Sequence, residues 1–332
     1  MSAPTTSSPS RSERPASGPA PTLGRMSLRS VVGGRQAQPV RVLLYGVEGI
    51  GKSTFAAAAP MPIFIGAEDG TAHLDVQRFQ NPEKWQDVLD AVRALTVEKH
   101  EYQTLVIDTL DWAEPLLWRK VCADGKVESI EDLGYGRGYT AALDGWRVLL
   151  AGIEELRRVK RMHVVFLAHS WIKPFKDPEG PGYDRYEMKI HAKAGGLMKE
   201  WCDCVLFANY ETFAQTDAKT KRVRGVDTGA RLFYTQRRAA YDAKNRYDLP
   251  ESLPLSWEDF FAAVQARQPG DPVVLGAAIS AKLPQLGKAD AEKAQAALVR
   301  AGQDAAKLAQ LNDWVNAKIG AIEANGAAKG DV

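Results

Sequence analysis

The stretch Gly46-Val-Glu-Gly-Ile-Gly-Lys-Ser53, directly behind the apolar run Val42, Leu43, Leu44 and Tyr45, constrains this 332-residue chain more than any other. Its spacing is G-x-x-x-x-G-K-[ST], and each fixed position has a physical task. Gly46, Gly49 and Gly51 free the backbone from the limits a Cβ sets, so consecutive N–H groups can turn inward around an anion. Val47, Glu48 and Ile50 fill the variable positions. Lys52 to Ala59 are good helix formers, which predicts a helix whose N-terminus faces the same anion until Pro60 ends it. Strand, glycine-rich turn and helix in this order read as a phosphate-binding loop for a triphosphate. Lys52 would reach the β- and γ-phosphates, the Ser53 hydroxyl would ligate Mg²⁺, and Thr54 completes the loop.

Composition narrows the setting. A formal net charge of +2 with 25% charged residues is ordinary for a soluble protein. No run approaches the roughly eighteen apolar residues that span a bilayer, and the N-terminus lacks the apolar segment of a secretion signal, so no membrane partner is expected and the expected location is the cytoplasm. Cys122, Cys202 and Cys204 are sparse, and no second Cys or His pair stands at finger-like spacing. Cys202 and Cys204 read as buried structural residues on one face of a strand rather than as metal ligands.

Residues 1 to 38 are rich in Ser, Pro, Thr, Ala and Gly and cannot bury enough surface to fold, which predicts a disordered arm. Its arginines could attract nucleic acid weakly or simply solvate it. An α/β core over residues 39 to 265 is expected next. Met61 to Gly70 reads as a short strand delivering Glu68 and Asp69 at its end, and residues 82 to 98 as a helix with Trp85, Val88, Leu89, Val92 and Leu95 in register. Thr104-Leu-Val-Ile-Asp-Thr109 is a buried strand whose terminal Asp108 fits the aspartate that holds Mg²⁺ or its waters. Helices are predicted over 112 to 121 and behind a loop at 124 to 139, the second with a stripe through Leu143, Trp146, Leu149, Leu150, Ile153 and Leu156 and with Arg157 outside it.

Met162 to Ser170 reads as a further parallel strand with His169 at its end, either a structural histidine or a sensor of the γ-phosphate. Between Trp171 and Lys193 aromatic and basic residues such as Trp171, Lys173, Phe175 and Arg185 alternate with Pro and Gly, which suits either a single-strand nucleic-acid site or a plain surface loop. A short helix, an apolar strand from Asp203, two further strands and a basic loop between them follow. Residues 266 to 332 change to Ala, Lys, Gln and Leu and predict a small helical appendage of two or three helices.

With these residues placed, the chain resembles P-loop ATPases of the RecA-like group, and more narrowly the phage single-strand annealing (Sak-type) nucleotide-binding proteins. The resemblance covers about residues 40 to 262 and rests on Gly46 to Thr54, Ala67-Glu-Asp69, Leu105 to Thr109, Leu167-Ala-His-Ser170, Tyr183 to Lys189, Trp201 to Tyr210 and Ala243-Lys-Asn-Arg246. It implies a mostly parallel central sheet, ATP and Mg²⁺ as cofactors, and an ATPase stimulated by DNA. Glu68 matches the glutamate that polarises the attacking water. His169 stands where recombinases often carry a glutamine that senses the γ-phosphate. Lys244 and Arg246 resemble basic residues that reach the ATP of a neighbouring subunit. The implied function is annealing or pairing of single-stranded DNA in phage recombination, in the host cytoplasm, with self-association into a ring or filament and with a single-strand binding protein as a further partner. A nucleotide-gated scaffold or loader that binds a replication protein is the alternative.

Overall fold

The computed structural model describes residues 31, 38–66, 74–178, 180–216, 223–267, 272–302 and 304–327. The predicted arm therefore lies almost wholly outside the described residues, as do Glu68 and Asp69. The chain divides into a unit at Met1–Arg35 and a second at Gln36–Val332, and all that follows concerns the second.

Among the described residues, six strands form the parallel body of the sheet. They are β1 (Arg41–Gly46), β2 (Pro62–Gly66), β3 (Gln77–Arg78), β4 (Thr104–Asp108), β5 (His163–Phe175) and β7 (Cys204–Thr216), paired side by side in the order β7, β1, β5, β4, β2, β3. Antiparallel β8 (Val223–Tyr234) and β10 (Ser252–Pro254) extend the edge beyond β7, and the short β9 (Lys244–Asn245) also pairs with β7. The protein is thus an α/β fold with a mostly parallel central sheet flanked by helices.

The strands read as continuous apolar runs because both faces of the sheet are covered. Leu43, Tyr45, Leu105, Ile107, Val164 and Phe166 point to one side. There they meet α2 (Trp85–Val97), α3 (Leu110–Gly125), α4 (Arg137–Lys160) and α5 (Ala192–Trp201). Val42, Leu44, Phe64, Val106, Val165 and Leu206 point to the other, against α1 (Lys52–Ala57) and α6 (Trp257–Gln265). Later in the chain, α7 (Pro272–Lys282), α8 (Lys288–Ala301) and α9 (Ala305–Ala327) share a hydrophobic cluster of their own around Ile279, Ala294, Leu308 and Val315.

Several expectations need correction. Residues 171 to 193 do not form a plain loop: β5 runs on past His169 and pairs antiparallel with β6 (Tyr183–Met188), from Ser170 opposite Met188 to Phe175 opposite Tyr183. The predicted loop at 124 to 139 holds a 3-10 turn at Ile130–Leu133 and the start of α4. Arg157 is buried, because its guanidinium donates to the Pro39 carbonyl at 2.6 Å and bridges Glu154 at 2.9 Å. Cys202 and Cys204 are buried but lie on opposite sides of the sheet, since Cys202 precedes the strand as the C-cap of α5.

Trp85 and Trp146 lock α2 to α4, with ring centroids 5.0 Å apart in an edge-to-face contact at 82°. Trp85 is 1% exposed. Its replacement, Trp85→Ala, should cost about 3–5 kcal/mol of unfolding free energy in urea denaturation; a loss under about 1 kcal/mol would show that the contact does not hold the helices.

Candidate functional site

The loop after β1 closes as its glycines require. Gly49 and Gly51 take φ values of 72° and 110°, the left-handed region that side chains disfavour. Gly51 is the N-cap of α1, so the helix begins at Lys52. Lys52 is 6% exposed, and its ammonium donates to the carbonyls of Gly46 at 3.3 Å and Val47 at 3.0 Å. The lysine thereby folds back into the loop that a triphosphate would occupy.

Register then collects the other strand ends around this loop. His169 pairs with Gly46 across β1 and β5, while Asp108 closes β4 beside Gly66, the last residue of β2. Ser53 Oγ donates to Asp108 Oδ2 at 2.7 Å. A hydroxyl and a carboxylate held together behind a buried lysine form the oxygen donor set that Mg²⁺ accepts, so these residues fit Mg²⁺ with a nucleotide. Glu68 follows Gly66 by two residues in the sequence.

His169 is fixed twice by Asp111. The His169 N–H donates to Asp111 Oδ1 at 2.9 Å, and the ring Nδ1 lies 2.8 Å from Asp111 Oδ2. Burial works to raise the Asp111 pKa, but the hydrogen bonds from His169 outweigh it and hold the carboxyl below the usual range. With Asp111 ionised, Nδ1 carries the hydrogen and its direction is set. Glu114, one turn further along α3, accepts the His191 N–H at 3.0 and 3.2 Å and so ties down the start of α5. Burial pushes its pKa up to about 7, with the His191 bond acting in the opposite direction.

Lys244 and Arg246 stand elsewhere. Lys244 pairs with Val205, and Asn245 with Cys204, which itself lies opposite Val42 at the start of β1. That is the far end of the sheet, about 13 Å along β1 from its final residue. Lys244 Nζ donates to the carbonyls of Lys199 at 2.7 Å, Glu200 at 3.0 Å and Cys202 at 2.8 Å, closing the C-terminus of α5. Arg246 bridges Asp203 at 3.2 Å. Neither cation meets this chain's own loop.

Asp111 and Glu114 were not singled out in the sequence. The signal lay in the spacing Asp108, Asp111, Glu114: acids three apart directly behind a strand that ends on an acid, at a helix start two residues earlier than the periodicity suggested. Among the described residues no group of three or more His, Cys, Asp and Glu side chains could hold a metal. Burial raises the thiol pKa of both Cys202 and Cys204, the latter to about 12, so both stand as protonated thiols. Among the described residues no helix is long and apolar enough to cross a membrane.

A family described as an AAA domain matches residues 38–247. The Bacillus subtilis (strain 168) protein described as "SPbeta prophage-derived uncharacterized protein YorG" is 24% identical over 158 residues, 46% of each chain, so this chain spans about half the length of the curated relative it matches. A crystal structure of the RadB recombinase is similar at 11% identity with a TM-score of 0.34, over 64% of this chain and 93% of that one.

The Glu114 geometry makes a pH prediction. A carboxyl whose folded pKa lies near 7 rather than 4.5 keeps its proton in the folded state across that window, so its contribution is complete below pH 4.5 and is lost as pH rises through 7. Glu114→Gln removes this loss. The stability of the variant relative to the parent should rise by on the order of 3 kcal/mol between pH 4.5 and pH 8, read from urea midpoints; an offset independent of pH would contradict it.

Proposed function

The chain belongs to the AAA domain family, and from that premise we propose that it binds and hydrolyses ATP and acts on single-stranded DNA in phage recombination, promoting annealing or pairing. The observation that carries the nucleotide reading is the Ser53–Asp108 hydrogen bond behind the buried Lys52. Loop backbone from Gly46 to Thr54 would hold the phosphates, and Ser53 with Asp108 would hold Mg²⁺. Bound MgATP supplies the phosphoryl group and the charge-stabilising metal. Glu68 is the proposed base for water, and it follows by two residues in the sequence the β2 end that adjoins Asp108. His169, held by Asp111 beside Gly46, is the proposed reporter of the γ-phosphate.

The phage setting is supported by the prophage origin of the YorG relative. DNA binding is supported by the β5–β6 hairpin, which leaves Trp171 and Ile172 exposed and sets Lys173 Nζ 3.8 Å from the Trp171 ring centroid. An aromatic face beside a cation suits a base and its phosphate. Arg185 takes no part, being buried against Phe175 and near Asp242. Lys244 and Arg246 lie at the far end of the sheet from their own loop, so their proposed contact with ATP is with that of a neighbour in a head-to-tail ring or filament. A single-strand binding protein remains a proposed partner.

Three measurements test this reading. Lys52→Ala should abolish ATP binding in calorimetry, whereas Glu68→Gln should keep binding and slow turnover on the order of a hundredfold; unchanged turnover would move the base elsewhere. Fluorescence anisotropy with an oligothymidylate, MgATP present, should show binding that weakens steeply with salt, and Trp171→Ala should weaken it by about 1–3 kcal/mol. No binding at low salt would overturn the DNA reading in favour of a nucleotide-gated loader.

A further inference from the structure

Arg231 on β8 is a cation that the loop motif does not account for. Its Nη1 lies 3.3 Å from the point where a Cβ on Gly51 would stand, with Leu255 Cδ2 3.7 Å from the same point. Gly51 is the N-cap of α1 and the neighbour of Lys52, so this guanidinium borders the phosphate loop itself. Its backbone is fixed there: the Arg231 carbonyl accepts the Leu255 N–H at 2.9 Å, and its cross-strand partner is Tyr210, whose ring centroid lies 5.9 Å from the guanidinium carbon.

Several other arginines of the fold meet carboxylates. Arg41 and Arg246 bridge Asp203, Arg157 bridges Glu154, and Arg185 and Arg237 lie by Asp242. Among the described residues no carboxylate comes within ion-pair distance of Arg231, which is exposed. A planar fork of donors beside a loop that already holds the Lys52 ammonium is an unfavourable gathering of positive charge unless an anion joins it, and a guanidinium matches phosphate oxygens in pairs.

We propose that Arg231 is a phosphate-binding residue acting in cis, taking oxygens of the nucleotide held by its own chain's loop. This rests on the nucleotide-binding reading above. A Cβ at position 51 would displace the guanidinium by a few tenths of an ångström.

The test is calorimetric titration of the full chain and of Arg231→Ala, Arg231→Lys and Arg231→Gln with MgATP, together with competition by magnesium tripolyphosphate, which has no base. Arg231→Ala and Arg231→Gln should weaken both ligands tenfold or more, Arg231→Lys should recover part of the loss, and thermal midpoints without ligand should be unchanged. If Arg231→Ala binds like the parent, the assignment falls while the nucleotide reading stands. A loss for ATP but not for tripolyphosphate would put Arg231 on the base and overturn the phosphate assignment. If the unmodified chain binds neither, both readings fall together. Should the alanine variant fail to fold, the comparison of Lys with Gln decides alone, because both are long polar side chains and only lysine keeps the positive charge.

Discussion

The structure depends on how closely β1 is pressed against β7. A Cβ on Gly46 would stand 2.2 Å from the Ala208 carbonyl oxygen, a distance no real side chain tolerates. Gly46 is at once the last residue of the central strand and the first of the phosphate loop. Its register fixes Ala208 on one side and His169 on the other, so a single approach of two backbones sets where the loop springs from, which histidine adjoins it and how near β8 can come. A methyl group there would push β7 outward and carry Arg231 away with it.

The parallel core was legible in the sequence because its strands are buried on both faces. Val42 to Tyr45, Leu105 to Ile107 and Val164 to Leu167 have no polar alternation to confuse them with helix. The phosphate loop was legible because glycine is needed where φ turns positive. The β5–β6 hairpin was not, since Pro174, Pro178, Pro181 and Gly182 carry the signals of a loop and its exposed strands lack an apolar face. Arg157 was misplaced for another reason: a helix position facing the strand entrance can bury a charge when a backbone carbonyl and a carboxylate meet it, and one of those partners, Pro39, is remote in sequence.

The two ends of the sheet have different electrostatic characters. At the phosphate end, Lys52, His169 and Arg231 gather around a loop, with Asp108 and Asp111 behind them. At the opposite end, Asp203 already meets Arg41 and Arg246 within the chain. Asp203 accepts from the Arg41 backbone and guanidinium and bridges Arg246; burial would raise its pKa, but the hydrogen bonds from Arg41 hold it below the usual range. His163 nearby is driven down to about 4 by burial, then by Arg157 and Arg161, and so stays neutral to accept the Val40 N–H.

The placement of the thiols has a practical consequence. Cys202 and Cys204 are sealed on opposite sides of the sheet and held protonated, so neither can pair with the other nor react readily while the fold stands. Cys122, on α3, is half-exposed. The native chain therefore offers one addressable attachment point for a spectroscopic probe, on the helix that carries Asp111 and Glu114, and reaction at the other two cysteines becomes a direct clock for opening of the sheet.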